Sequence, residues 1–139
     1  MRRKLAVIAT VVLGLALVAG IAQSPAQETP PGMTRVSPGK STRVFVMAAF
    51  DDACKPIAAP SIQVTTPPRK GSVSFREGQT TTVMSSLSGK CIGERVQGTG
   101  VYYTASPDGT GEDAFEITAR LATGAVTTRS FKMFISDGL

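Results

Sequence analysis

The chain contains no histidine. That absence removes Ser-His-Asp and Cys-His catalysis, because nothing else supplies a neutral imidazole base at ordinary pH. It also removes every zinc site built with histidine, and two cysteines alone cannot complete a cysteine-rich one. C-x-x-C spacing is absent, and Cys54 and Cys91 lie in the turn-like strings "DDACKP" and "SGKCIG". An even count in an exported chain reads as a disulfide, here a staple between loops rather than a redox pair. No run of Lys or Arg follows the N-terminus, and "PRK" at 68–70 is only a pair. A nucleic-acid surface needs a basic stripe, so that class of partner is not expected.

What is present begins with an address. Arg2, Arg3 and Lys4 precede an uncharged stretch, Leu5 to Ala22, and then Gly20, Ala22, Ser24, Pro25 and Ala26 supply small residues and a Pro. A basic start, an apolar middle and a small-residue exit are the layout of a secretory signal peptide. Residues 1–26 are assigned to it, with cleavage after Ala22 or after Ala26; an uncleaved anchor is the alternative reading. The expected location is periplasmic or secreted, with no membrane span once the signal is removed. Three of the fifteen basic residues sit in this segment, so its removal takes the net charge from +5 to +2.

Residues 27–41, "QETPPGMTRVSPGKS", carry three prolines and two glycines and read as a flexible lead-in or an edge segment. From Thr42 the chain reads as strands. "TRVFVMAA", 42–49, fits a strand buried on two sides or a short helix continuing through Phe50. "SIQVT" at 61–65 and "SVSFR" at 72–76 alternate, Glu77-Gly78 signals a turn, and "TTTVMSS" at 80–86 resumes. "GVYYTA", 100–105, sets Val101 and Tyr103 against Tyr102 and Thr104. In "EDAFEITARL", 112–121, Phe115, Ile117, Ala119 and Leu121 share one face, the mark of an antiparallel strand wet on the other. "ATG" turns the chain into a last strand, 125–135, with Phe131, Met133 and Ile135 together.

About seven short strands without a convincing helix predict an all-β, Ig-like antiparallel two-sheet β-sandwich over 42–139. Its expected core is Val44, Val46, Ile62, Val64, Val73, Phe75, Val101, Tyr103, Phe115, Ile117, Leu121, Phe131, Met133 and Ile135.

The stretch "YYTASPDGTGEDAF", 102–115, gathers the most chemistry-bearing residues. Pro107-Asp108-Gly109 is a turn signal, Gly111 is suited to a positive φ, and Asp113 is expected to accept backbone N–H bonds inside the turn. The rival is a calcium site made of Asp108, Glu112 and Asp113, which alone fall short of the six to eight oxygens calcium takes. Other catalytic strings are thin. S-x-x-K occurs only at Ser37–Lys40, and "SPGKST" lacks the first glycine of a phosphate loop, Thr34 standing in its place. The adjacent acids Asp51-Asp52 and Glu112-Asp113 point to opposite faces if extended. No cofactor and no enzymatic activity are expected.

With these residues in view, the run resembles the signature of bacterial Ig-like, cadherin-like repeat domains. Tyr103, Gly111, Asp113 and Phe115 match its spacing, and Pro67, Pro68, Gly71 and Val73 of "PPRKGSVSF" match its upstream piece. Ala105 and Gly109 differ from the residues usual there, the cysteine pair is additional, and there is one copy with no internal repeat. The resemblance implies a sandwich of the kind found in secreted adhesins and surface proteins. The expected function is a non-enzymatic binding or structural module of the bacterial cell envelope, taking a protein or glycan partner. Candidate contacts are Tyr102, the 86–99 loop with Lys90 and Arg95, and the apolar 44–50 stretch. An inhibitor or accessory subunit of an exported enzyme, and a carboxylate-type glycan hydrolase with acids ~5–9.5 Å apart, are the alternatives.

Overall fold

Alternation along the two C-terminal strands sets the architecture. Phe115, Ile117 and Ala119 are fully buried in one strand, and Met133 and Ile135 in its partner. The structure, a computed structural model, describes residues 28–137. The expected signal peptide, 1–26, lies outside the described residues.

Among the described residues seven strands form two sheets: β1 (Thr34–Val36), β2 (Ser41–Ala48), β3 (Ser61–Thr66), β4 (Gly71–Thr82), β5 (Arg95–Ala105), β6 (Gly111–Arg120) and β7 (Val126–Ile135). One sheet has the order β1-β7-β6-β3 and the other β2-β5-β4. Strands two, four and five thus lie in one layer and three, six and seven in the other, the partition of an immunoglobulin-type sandwich. The first strand is the exception to an antiparallel fold. β1 runs parallel to β7, with Thr34 opposite Met133 and Val36 opposite Ile135. Residues 34–36 of the Pro/Gly-rich lead-in are therefore an edge strand, and Val36 enters the core at 2% exposure.

The core lies between the sheets. Val101, Tyr103, Ala105, Phe115, Ile117, Ala119, Met133 and Ile135 form its buried centre, with Val44, Ile62, Val64, Val73, Phe75 and Phe131 packed around them. A file of rings crosses it: Phe45 to Phe131 at 5.8 Å, Phe131 to Phe115 at 4.8 Å, and Phe115 to Tyr103 at 5.9 Å between centroids.

Four departures from the sequence reading have local causes. Of the two readings of 42–49 the strand holds, as far as Ala48, but its alternation is reset by a bulge: Arg43 pairs with Tyr102, yet Phe45 pairs with Val101. After the extra residue, Met47 and Ala49 point inward and are buried, while Val46, expected inside, is half-buried outside the core cluster. Glu77-Gly78 is also a bulge rather than a turn. Arg76 pairs with Gly100 and Gln79 with Gly98, so β4 continues unbroken to Thr82, with Gly78 at φ +70°. β5 likewise starts at Arg95, which places 95–99, read as loop, inside the sheet. Leu121 is half-buried at the β6–β7 turn rather than in the core.

Candidate functional site

The two ends of the sandwich are built differently. At one end the β3–β4 loop meets the β5–β6 turn. Asp113, 7% exposed near the start of β6, is the junction. Its Oδ1 accepts from the backbone N–H groups of Arg69 and Ala114, both at 2.9 Å. Its Oδ2 accepts from the Lys70 N–H at 3.0 Å and from the Tyr103 hydroxyl at 2.7 Å. Burial pushes this carboxyl upward, but the Tyr103 hydroxyl and three N–H donors together outweigh it and hold the group below its ordinary value. Burial also raises the Tyr103 phenol, helped by its hydrogen bond to Asp113 and by that residue's charge.

The donors correct the expectation in one respect. Asp113 binds backbone N–H groups as anticipated, but two of them come from the β3–β4 loop and none from the Ser106–Thr110 turn. That turn closes by its own Gly109 N–H to Ser106 C=O bond at 2.9 Å, with Pro107 and Asp108 exposed at its corners. Lys70 ties it down: its ammonium donates to Thr110 C=O at 2.8 Å, and its own C=O accepts from Ser106 N–H at 2.8 Å. Gly111 takes φ +80° as the strand resumes. Glu112 alternates to the exposed face. Among the described residues no three His, Cys, Asp or Glu side chains are grouped as a metal set, the Asp108, Glu112 and Asp113 trio included. This end is a clamp.

The opposite end carries the β2–β3 loop, the β4–β5 loop and the β6–β7 turn. Cys54 and Cys91 join the first two by a disulfide, S–S 2.07 Å. A second tie is the ion pair of Lys90 with Asp52 at 3.0 Å, both exposed. Asp51 organises the first loop from within, its Oδ1 accepting from the N–H groups of Ala53 (2.9 Å) and Lys55 (3.0 Å). The neighbouring acids thus serve as a turn acceptor and an ion-pair partner, and they do not converge.

Beside this end opens a cleft of about 710 Å³. It follows β2 from Arg43 and the chain beyond it to Phe50, and is bounded by residues 81–88 on one side and by the β6–β7 turn and the start of β7 on the other. Volumes of this order are typical of binding sites. Among the described residues the strongly exposed large apolar side chains are Met84, Leu87, Ile92 and Val126. The first three stand on the β4–β5 loop and the fourth opens β7. Met84 and Leu87 line the cleft, whereas Val126 lies beside Ser61, Gln63, Thr118 and Arg120 of β3 and β6. Exposed apolar side chains set together beside a cleft are a mark of interaction sites.

The candidate contacts from sequence are separated by the fold. Lys90 is on the β4–β5 loop at the cleft end, and Arg95 follows at the first residue of β5. Tyr102 belongs elsewhere, with its hydroxyl on Gln79 Oε1 at 2.7 Å and the Arg76 guanidinium 4.1 Å over its ring. The 44–50 stretch does line the cleft. Sequence reasoning missed Met84 and took in Leu87 only as part of the 86–99 loop. The available signal was their apolar character inside "VMSSLSGKCIGE", where a loop is ordinarily polar.

Among the described residues no helix is long and apolar enough to cross a membrane. No family model, no curated protein and no solved structure matches the chain.

Proposed function

We propose that the protein is an exported, non-enzymatic binding module of the bacterial cell envelope, related to Ig-like, cadherin-like repeat domains, whose partner seats at the cleft end. One observation carries this reading: Met84 and Leu87, both strongly exposed, line the β2 cleft. Keeping two such side chains in water is unfavourable, and burying each fully is worth roughly 1.5–3 kcal/mol. The disulfide between two of the rim loops supports the same reading, since loops fixed before binding lose less entropy on it. The clamp at Asp113 accounts for the acid-rich stretch without chemistry, which favours a module over a hydrolase.

The test is capture from envelope extracts, alongside a glycan array, with the wild-type chain and with Met84→Glu/Leu87→Glu. Both sites are exposed, so the variant should fold with an unchanged thermal midpoint and lose its partner. A partner held equally by both proteins, or a hydrolytic activity toward an envelope polysaccharide, would refute the proposal.

A further inference from the structure

The wall of the cleft includes an open sheet edge. β2 ends the three-stranded sheet and is hydrogen-bonded to β5 on one side. Such edges present unpaired N–H and C=O groups and are normally blunted. The other edges are. β1 has three residues and follows Pro30-Pro31, β3 is bounded by Pro60 and by Pro67-Pro68, and β4 carries a bulge and two charges, Arg76 and Glu77, at mid-strand. β2 has eight residues, no proline, and one charge, Arg43; its bulge falls near its start and leaves Phe45–Ala48 in regular register.

Charge narrows the occupant. Arg43, Arg129 and Asp52 are the charged residues lining the cleft. Asp52 is paired with Lys90, and no salt bridge to a carboxylate holds either arginine among the described residues. Arg129 lies with its guanidinium 4.2 Å over the Phe45 ring, and Arg43 reaches only the Thr80 C=O, at 3.4 Å. A second copy docking edge to edge would set these cations against their duplicates, which costs energy at a close interface. A small apolar acid would satisfy the arginines yet bury the edge's polar groups unpaired, at a cost of ~1–3 kcal/mol each.

We infer that the cleft takes an extended peptide segment of a partner protein, which adds as a strand to the free edge of β2 and places an acidic side chain against Arg43 and Arg129. This rests on the binding-module reading above and names its ligand class. Main-chain hydrogen bonds supply the affinity in this mode, and alternate side chains supply the selectivity. Met84 and Leu87 line the same cleft and offer apolar contacts to those alternates.

The experiment selects binders from a displayed library of random linear peptides on the full chain, produced in an exporting host. Enrichment of Asp or Glu among alternating apolar residues is expected. A synthetic copy of one winner should lose at least about tenfold in affinity when alternate backbone amides on one edge are N-methylated. Arg43→Glu/Arg129→Glu should shift preference from that peptide to its Glu-to-Lys counterpart. The N-methylated probes leave the protein unaltered, so they decide the matter even if the double variant folds poorly. Binders without acidic residues, indifference to N-methylation, or a stable dimer cross-linked through β2 would overturn the inference. Capture that still depends on Met84 and Leu87 would then leave the broader reading standing; loss of both would remove both.

Discussion

The Tyr103 hydroxyl donates to Asp113 Oδ2 at 2.7 Å, joining β5 to β6 beneath the β3–β4 loop. Asp113 also accepts from three backbone N–H groups, so replacing it with Ala strands four donors at once. The expected loss is ~3 kcal/mol or more, against ~1–2 kcal/mol for Tyr103→Phe, which removes one donor and leaves the others satisfied. The double variant should fall short of the sum, with a coupling of ~1–3 kcal/mol. Urea midpoints of the four proteins measure it; strict additivity would mean the two residues act independently.

The same pair predicts how stability varies with pH. The Asp113 carboxyl is held below its ordinary value in the folded chain, so its contribution is present above the unfolded pKa of ~4 and lost as pH falls through the folded value. Tyr103 has the opposite sense. Its folded pKa is raised, so its contribution is present below the unfolded value of ~10 and lost as pH climbs beyond it. Unfolding free energy should fall at both extremes. Asp113→Asn should flatten the acid limb and Tyr103→Phe the alkaline one, each read from denaturant melts across pH.

How far the sequence could be read follows from range. β6 and β7 were legible because Phe115, Ile117, Phe131, Met133 and Ile135 alternate without interruption, and a turn at Gly124 joins them directly. The acceptor role of Asp113 was legible from residue type, but its partners were not: Arg69 and Lys70 lie 44 and 43 residues away, beyond any local pattern. Bulges hid the rest. A single extra residue at Arg43/Phe45 exchanges Met47 for Val46 on the inner face, and another at Glu77-Gly78 looks like a turn until its neighbours are paired across β5. One wall of the cleft, the 44–50 stretch, was legible, but only the topology brings residues 81–88 and the β6–β7 turn against it.

Two glycines separate steric need from backbone need. A Cβ at Gly71 would lie 2.5 Å from the Thr104 carbonyl oxygen and 2.8 Å from Cζ and Oη of Tyr103. The first neighbour is backbone and the second is held by Asp113, so neither yields cheaply. Gly71→Ala should cost ~2 kcal/mol or more. At Gly78 nothing lies within 4 Å of a Cβ, yet φ is +70°. Gly78→Ala should therefore cost only the left-handed backbone penalty, ~1 kcal/mol. Thermal or urea melts should rank Gly71→Ala as the more damaging; the reverse order would mean the β3–β4 loop moves aside.

Cys54 and Cys91 both occupy the left-handed region, at φ 62° and 65°, where side chains other than Gly are disfavoured. Their bond spans 37 residues, and the loop it closes is worth about 4 kcal/mol in the chain-entropy treatment. The backbone strain acts against that gain, at ~1–2 kcal/mol per residue. Replacing both cysteines removes the cross-link whatever the substitute, so a comparison of substitutes isolates the backbone term. Cys54→Gly/Cys91→Gly relieves the strain at both positions, although glycine also loosens the unfolded chain and returns part of the benefit. Cys54→Ala/Cys91→Ala keeps the strain with no bond to hold it. The Gly pair should be the more stable of the two by ~1–2 kcal/mol, while both remain below the wild-type protein. Should the Ala pair prove equal or better, the loops must leave the left-handed conformation once the sulfurs part, and the bond itself would be what imposes that backbone on the rim of the cleft.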